Sequence, residues 1–206
     1  MTEDGRKKLG SVTTELALAV ELVDVYTGGP VLGDARVSLV GDDHVFRQGP
    51  SRYYVLQDIP TVPDPVTIAV QSSGYLDETV SKGHDELDDT EPLVTVELTP
   101  GPAYDFGSGE TVVRGRVLDG EDDAIAGATV SFEDREFETE TTERGEFVLW
   151  LSDLETEELE VIGDGRRLVS PADPGPVVRA ERHDGTTTTA PVELEVGTTA
   201  SVTLSF

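Results

Sequence analysis

One set of residues occurs twice in this chain, 93 positions apart. Ala35, Val37, Leu39, Tyr54 and Leu56 return as Ala128, Val130, Phe132, Phe147 and Leu149. Each set sits in the same frame: a turn, a short β-branched strand, an acidic connection and a second aromatic strand. A side chain that alternates in and out of a sheet repeats every two residues, and both sets keep that spacing. The repeat therefore predicts two copies of one small β-domain. With 206 residues, each copy has the size of a typical domain.

Charge narrows the setting. Forty-two acids face fifteen bases, for a net charge of −27. Only Lys7, Lys8 and Lys82 are lysines, and the acids are spread over both halves rather than gathered in a tail. Self-repulsion on this scale opposes a compact state. At molar salt the Debye length contracts to about 3 Å and the repulsion is screened. Acids everywhere, few lysines and arginine as the retained base point to a salt-loving source; a Ca2+-loaded mesophilic surface protein is the competing reading. Free nucleic acid is excluded as a partner, because phosphate binding needs a basic stripe.

There is no cysteine, hence no disulfide framework and no thiolate chemistry. The segment MTEDGRKKLGSVTTEL has no apolar run of signal-peptide type, and no stretch approaches the length of a membrane span. The expectation is synthesis in the cytoplasm without a signal peptide, no membrane insertion, and incorporation into a particle or assembly that is released from the cell.

Along the chain, residues 1–12 read as a polar arm and 13–99 as the first sandwich. Leu16, Leu18, Val20 and Leu22 alternate with Ala17, Ala19 and Glu21; Ala35–Leu39, Tyr53–Leu56, Val66–Val70 and Val94–Leu98 follow as strands. Residues 100–110 read as a linker stiffened by Pro100 and Pro102, whose Tyr104 and Phe106 are expected to pack between the domains. The second sandwich covers 111–206. Val202, Leu204 and Phe206 match Val94, Val96 and Leu98 at an offset of 108, so copy two carries about 15 extra residues. They are placed near 170–196, with an additional strand at Val192-Leu194-Val196. Glu136, Glu138 and Glu140 predict a strand with a carboxylate face toward water. The fold class is all-β: two tandem Ig-like or transthyretin-like sandwiches.

Val113-Arg114-Gly115-Arg116-Val117, Ile125-Ala126-Gly127-Ala128-Thr129-Val130 and Thr142-Glu143-Arg144-Gly145-Glu146-Phe147 together resemble the carboxypeptidase regulatory-like domain. The resemblance implies a transthyretin-like sandwich without catalytic residues, with Gly127 in the turn feeding the second strand and Gly145 in a hairpin. Copy one diverges: Asp34 replaces the glycine, and Gly49-Pro50-Ser51-Arg52-Tyr53-Tyr54 replaces the turn. Separately, Leu98-Thr99-Pro100-Gly101-Pro102-Ala103-Tyr104-Asp105-Phe106 running into Thr111–Val117 is similar to small two-domain proteins encoded with phage-tail-like contractile injection systems.

Catalytic chemistry finds little footing. His44, His84 and His183 lie in polar loops without metal-ligand spacing. No nucleophile elbow or phosphate loop occurs, so an enzyme is not expected. Asp119, Glu121 and Asp123, and separately His84–Asp89, offer oxygen ligands to Ca2+ or Mg2+ without EF-hand spacing. Trp150 is the most informative single side chain. If Phe147 and Leu149 point inward, Val148 and Trp150 point outward, either as an anchor for a partner or under a cover made by the linker or the inserted strand. Phe206 closes the last strand, whose edge is open to strand addition. The expected role is a non-enzymatic subunit or adaptor contacting other protein subunits, in an injection system or viral particle of a halophilic archaeon. The alternative is a recognition module taking glycan or protein on its loops, with Tyr26, Tyr53 and Tyr75 as the aromatics.

Overall fold

The computed structural model describes residues 16–41, 46–48, 52–57, 62–88, 90–135, 137–152, 154, 159–162, 165–168 and 176–206. The polar arm, His44, Gly49-Pro50-Ser51, Glu136 and residues 170–175 lie outside them. The fold is all-β; among the described residues the only helical element is a 3-10 turn at His84–Glu86, and no helix is long and apolar enough to cross a membrane. The chain divides into two compact units, residues 1–71 with 77–98, and residues 72–76 with 99–206.

The first unit contains β1 (Leu16–Asp24), β2 (Ala35–Leu39), β3 (Arg47–Gln48), β4 (Tyr53–Gln57), β5 (Val66–Ser72), β6 (Glu78–Lys82) and β7 (Leu93–Leu98). One sheet runs β3-β4-β1-β7 and the other β2-β5-β6. Alternation along β1 buries Leu18, Val20 and Leu22, while Leu16 stands outside at 49% exposure. Val37, Leu39, Tyr54, Leu56, Val66, Ile68, Val94 and Val96 are buried with them. The inward row of β1 ends on Asp24, a fully buried carboxylate. Such a group needs hydrogen bonds in place of water, and its Oδ1 accepts the N–H groups of Tyr26 (2.8 Å) and Thr27 (3.3 Å), closing the turn after β1.

The second unit contains β8 (Thr111–Leu118), β9 (Thr129–Phe132), β10 (Glu138–Glu140), β11 (Glu146–Leu151), β12 (Leu159–Ile162), β13 (Gly165–Leu168), β14 (Val177–Glu181), β15 (Thr187–Pro191) and β16 (Thr199–Ser205). Its sheets are β11-β8-β16 and β10-β9-β14-β15, with β12-β13 as a separate hairpin. Val113, Val117, Val130, Phe132, Phe147, Leu149, Val178, Ala180, Leu194 and Leu204 fill the space between.

The two strand orders are the same: β4-β1-β7 corresponds to β11-β8-β16, and β2-β5-β6 to β9-β14-β15. In both, the first strand pairs antiparallel with an aromatic strand and parallel with the last strand. Register refines the repeat. Val20 lies opposite Tyr54 and Val94, while Gly115 lies opposite Phe147 and Val202. The first strands therefore correspond at an offset of 95, two residues more than the strands that follow.

Three expectations change. The extra length of copy two lies between β11 and β14, where the first unit has only a short connection, and it carries the β12-β13 hairpin. Within the stretch read as extra, Thr187–Pro191 is the strand β15, paired with β14. Val192–Val196 is not a strand. Val192 and Leu194 are buried, but the Val192 N–H bonds the Pro176 carbonyl while Glu195 and Val196 meet Arg167 and Arg166 of β13 in a single bridge, so no continuous ladder forms. Gly145, at φ +70°, turns the chain from β10 in one sheet to β11 in the other; it does not close a hairpin. A Cβ there would stand 2.5 Å from the Val117 carbonyl oxygen, so only glycine fits. Gly127 also has positive φ, +65°, in the turn before β9.

Candidate functional site

Sheet alternation places Val112, Arg114 and Arg116 on the outer face of β8. Glu146, Val148 and Trp150 flank them on β11, and Thr199, Ser201 and Thr203 on β16. An outer face is normally wet, yet Val112 and Val148 are fully buried and Trp150 is 9% exposed. The cover is the stretch 100–106, which lies over this sheet as a strap.

Arg114 fastens the strap. Its guanidinium donates to the carbonyl oxygens of Pro102 and of Tyr104 (2.6 Å), and its carbon stands 5.5 Å from the centre of the Phe106 ring. A planar guanidinium suits this task, since it presents several fixed donors while its flat face rests on an aromatic ring. Aromatic contacts continue the fastening. Ring centroids are 5.3 Å apart for Tyr75–Tyr104, 4.6 Å for Tyr104–Phe106, 5.9 Å for Phe106–Trp150 and 4.1 Å for Phe137–Trp150. These are spacings at which offset and edge-on rings attract. All five rings belong to the second unit.

In this arrangement Trp150 is covered. Trp150 and Val148 do point away from Phe147 and Leu149, but they are not free anchors; the strap and Phe137 cover them. Tyr104 and Phe106 are part of the second unit's own packing, not a spacer. Tyr75 is 5% exposed against Tyr104 and offers no stacking surface for a glycan. Tyr53, in the first unit, is half-buried with Arg52 5.8 Å from its ring centre, and Tyr26 is half-buried. Phe206 packs against the core of the second unit under Arg182, whose guanidinium carbon lies 4.1 Å from the ring centre.

Beside the strap, an open groove of about 430 Å3 remains, lined by Pro102, Arg114, Arg116, Glu146, Ser201 and Thr203. Its floor is thin because of Gly115. A Cβ on Gly115 would meet the Val202 carbonyl oxygen at 2.3 Å and the Phe147 ring at 2.5 Å. The Phe147 ring occupies the space a side chain would take. Sequence alternation identifies the face that carries Arg114 and Arg116, but not that one is spent on the strap and the other left at the groove.

The acidic clusters are turns that bond to themselves. Asp119 Oδ1 accepts the N–H groups of Glu121 (2.8 Å) and Asp123 (3.0 Å), which holds its carboxyl below the usual range. Asp122 between them takes φ 66°. Asp88 Oδ1 accepts the Thr90 hydroxyl (2.6 Å) and the N–H groups of Thr90 and Glu91, again lowering its pKa. Glu86 is lowered first by the Gly83 N–H and then by Lys82. Among the described residues no three His, Asp or Glu side chains converge as a metal site requires. The His84 ring nitrogen Nε2 lies 3.0 Å from the Pro63 carbonyl, and His183 is exposed.

No family model and no curated protein matches this sequence. Among solved structures, the chain is similar to a streptococcal ancillary pilin at 13% identity and a TM-score of 0.28, covering 100% of this chain and 68% of that one. It is similar to the Bacillus anthracis TIE protein at 10% identity and a TM-score of 0.28, over 91% of this chain and 33% of that one. A C-terminal fragment of pilus adhesin SpaC from Lactobacillus rhamnosus GG is matched at 10% identity and a TM-score of 0.21, over 91% and 97%. At these TM-scores neither a shared fold nor a shared activity follows.

Proposed function

We propose that this chain is a non-enzymatic building block or adaptor in a larger protein assembly. The observation that supports the reading is that one strand order is built twice, and every main sheet runs out to edge strands. β7 and β6 end the sheets of the first unit, and β16 and β15 those of the second. β7 presents Leu93, Thr95 and Glu97 outward. Edges of this kind accept a strand from a neighbour, and a coat of like charge discourages pairing that is not specified by contact.

The finer reading is a subunit of a phage-tail-like injection system or viral particle from a halophilic archaeon. The acidic coat and the Leu98–Val117 resemblance support it. The test is ultracentrifugation of particles from the native host in molar salt, followed by immunogold labelling with antibody to this chain. The expected result is co-sedimentation and regularly spaced label; a chain found wholly in the soluble fraction as a monomer overturns the proposal. The recognition-module alternative has one observation in its favour, the polar groove beside the strap. Its signature would be binding on a glycan array by the soluble monomer.

A further inference from the structure

In a chain with 42 acids and 15 bases, an arginine on the surface has carboxylates within easy reach. Arg52 pairs with Glu21 at 2.5 Å, Lys82 with Glu86 at 3.0 Å, Arg167 with Glu160 at 3.3 Å and Arg179 with Glu181 at 2.6 Å. Arg116 is one of several arginines without such a pair among the described residues, and it lines the groove. It lies directly across from Glu146 on β11, yet among the described residues it lies within 4 Å of no carboxylate. Its guanidinium donates instead to the Arg144 carbonyl oxygen at 3.1 Å, and the Arg144 side chain has no acid partner among the described residues. The groove is thus lined by Arg116, held by the Arg144 carbonyl, and by Arg114, held by the Pro102 carbonyl.

The equivalent face of the first unit is closed to the same use. The offset of 95 places Glu21 where the second unit has Arg116, and Glu21 is already neutralised by Arg52. At this position a cation without a carboxylate partner occurs in one copy only.

We propose that this groove docks an extended acidic segment of a neighbouring protein subunit, with carboxylates at alternate positions. The proposal rests on the building-block reading above. An extended chain repeats its side chains on one face about every 6.8 Å, and β16 displays Ser201 and Thr203 at that same spacing along the groove. Arg116 takes a carboxylate through two parallel N–H bonds, the geometry in which a guanidinium exceeds an ammonium. Glu146 accepts from a backbone N–H of the incoming segment, and the Ser201 and Thr203 hydroxyls bond its remaining polar groups. Two acidic surfaces repel at long range in dilute buffer. At molar salt only contact pairs persist, so an acidic segment reaches an acidic protein at a groove whose guanidinium holds no carboxylate of its own chain.

The experiment uses the full chain in molar KCl and fluorescence anisotropy of a fluorescein-labelled (Glu-Thr)4 peptide. Saturable binding is expected. Arg116→Ser lowers the affinity about tenfold, the worth of one charge-assisted pair, and Arg36→Ser, at an exposed site on β2, leaves it unchanged. A (Gln-Thr)4 peptide does not compete. The Trp150 emission of the Arg116→Ser variant, unchanged from wild type, verifies its fold. No saturable binding, equal binding by the glutamine peptide, or indifference to Arg116→Ser overturns the proposal. Oligogalacturonate that displaces nothing from wild type but binds it in an Arg116-dependent way, with the peptide silent, overturns it in favour of an acidic glycan. If the chain labels particles while the peptide fails, the groove is wrong and the building-block reading stands; if the peptide binds while no particle is labelled, the reverse holds.

Discussion

Val20 faces Tyr54 across the first unit's sheet, and Gly115 faces Phe147 across the second's. The copies fill the same position by opposite means. In the first unit a β-branched side chain shares the space with a tyrosine, whose buried hydroxyl finds no hydrogen-bond partner among the described residues. In the second unit the strand gives up its side chain and the ring of Phe147 takes its place. On the other side of the same sheets the contrast widens. Ala17, Ala19, Glu21 and Gln57 in the first unit correspond to Val112, Arg114, Arg116 and Trp150 in the second. The first set are small or polar residues of a solvated face; the second set carries a strap. One fold accommodates both because a sheet core depends on its inward row alone, leaving the outward row free to acquire a second layer.

The comparison breaks most sharply at Trp150. Trp150→Ala empties the space under Phe106 and Phe137 and is expected to cost about 3–5 kcal/mol, read as a lower urea midpoint by far-UV circular dichroism in molar salt. Gln57→Ala, its exposed counterpart, is expected to move the midpoint within about 0.5 kcal/mol. Equal effects would mean that the strap contributes nothing. Arg114→Ala removes two charge-assisted bonds to strap carbonyls and the ring contact, an expected loss of about 2–3 kcal/mol. Trp150 is the only tryptophan of the chain, so release of the strap is visible as a red shift of its emission; an unshifted spectrum would show that Phe137 alone keeps it dry. The smallest effect, and the one of opposite sign, is Tyr54→Phe. Deleting a buried hydroxyl without a partner is expected to raise stability by up to about 1 kcal/mol, making the first unit resemble the second. A loss measured by the same urea titration would reveal a partner for that hydroxyl.

Much of the architecture was legible from period-two spacing. The inward rows of β1, β4, β9 and β11 follow from alternation; the turn at Gly127 came from the resemblance instead, and the hairpin expected at Gly145 is a crossing from one sheet to the other. What escaped has a common cause. Glu78–Lys82 and Thr187–Pro191 are edge strands whose partly exposed side chains leave no apolar row to read, so only backbone pairing defines them. Val192–Leu194 shows the converse, an alternating apolar row on a segment that forms no ladder, only a single bridge to β13 at Glu195. The face of Trp150 could be read from the sequence, but its cover could not. Alternation states which way a side chain points, while the cover is chain that lies over 40 residues away in sequence. The groove was invisible for the same reason, since Arg114 and Arg116 look alike until the strap claims one of them.

The stretch from Pro100 to Phe106 has the proline and glycine content of a tether and the role of a wall. For anyone dividing this protein into expressible pieces, a cut at the apparent boundary before Thr111 would leave β8 and β11 with Val112, Val148 and Trp150 bare to water. Such a fragment would carry a ready-made sticky patch and aggregate, whereas one starting before Thr99 keeps its own lid.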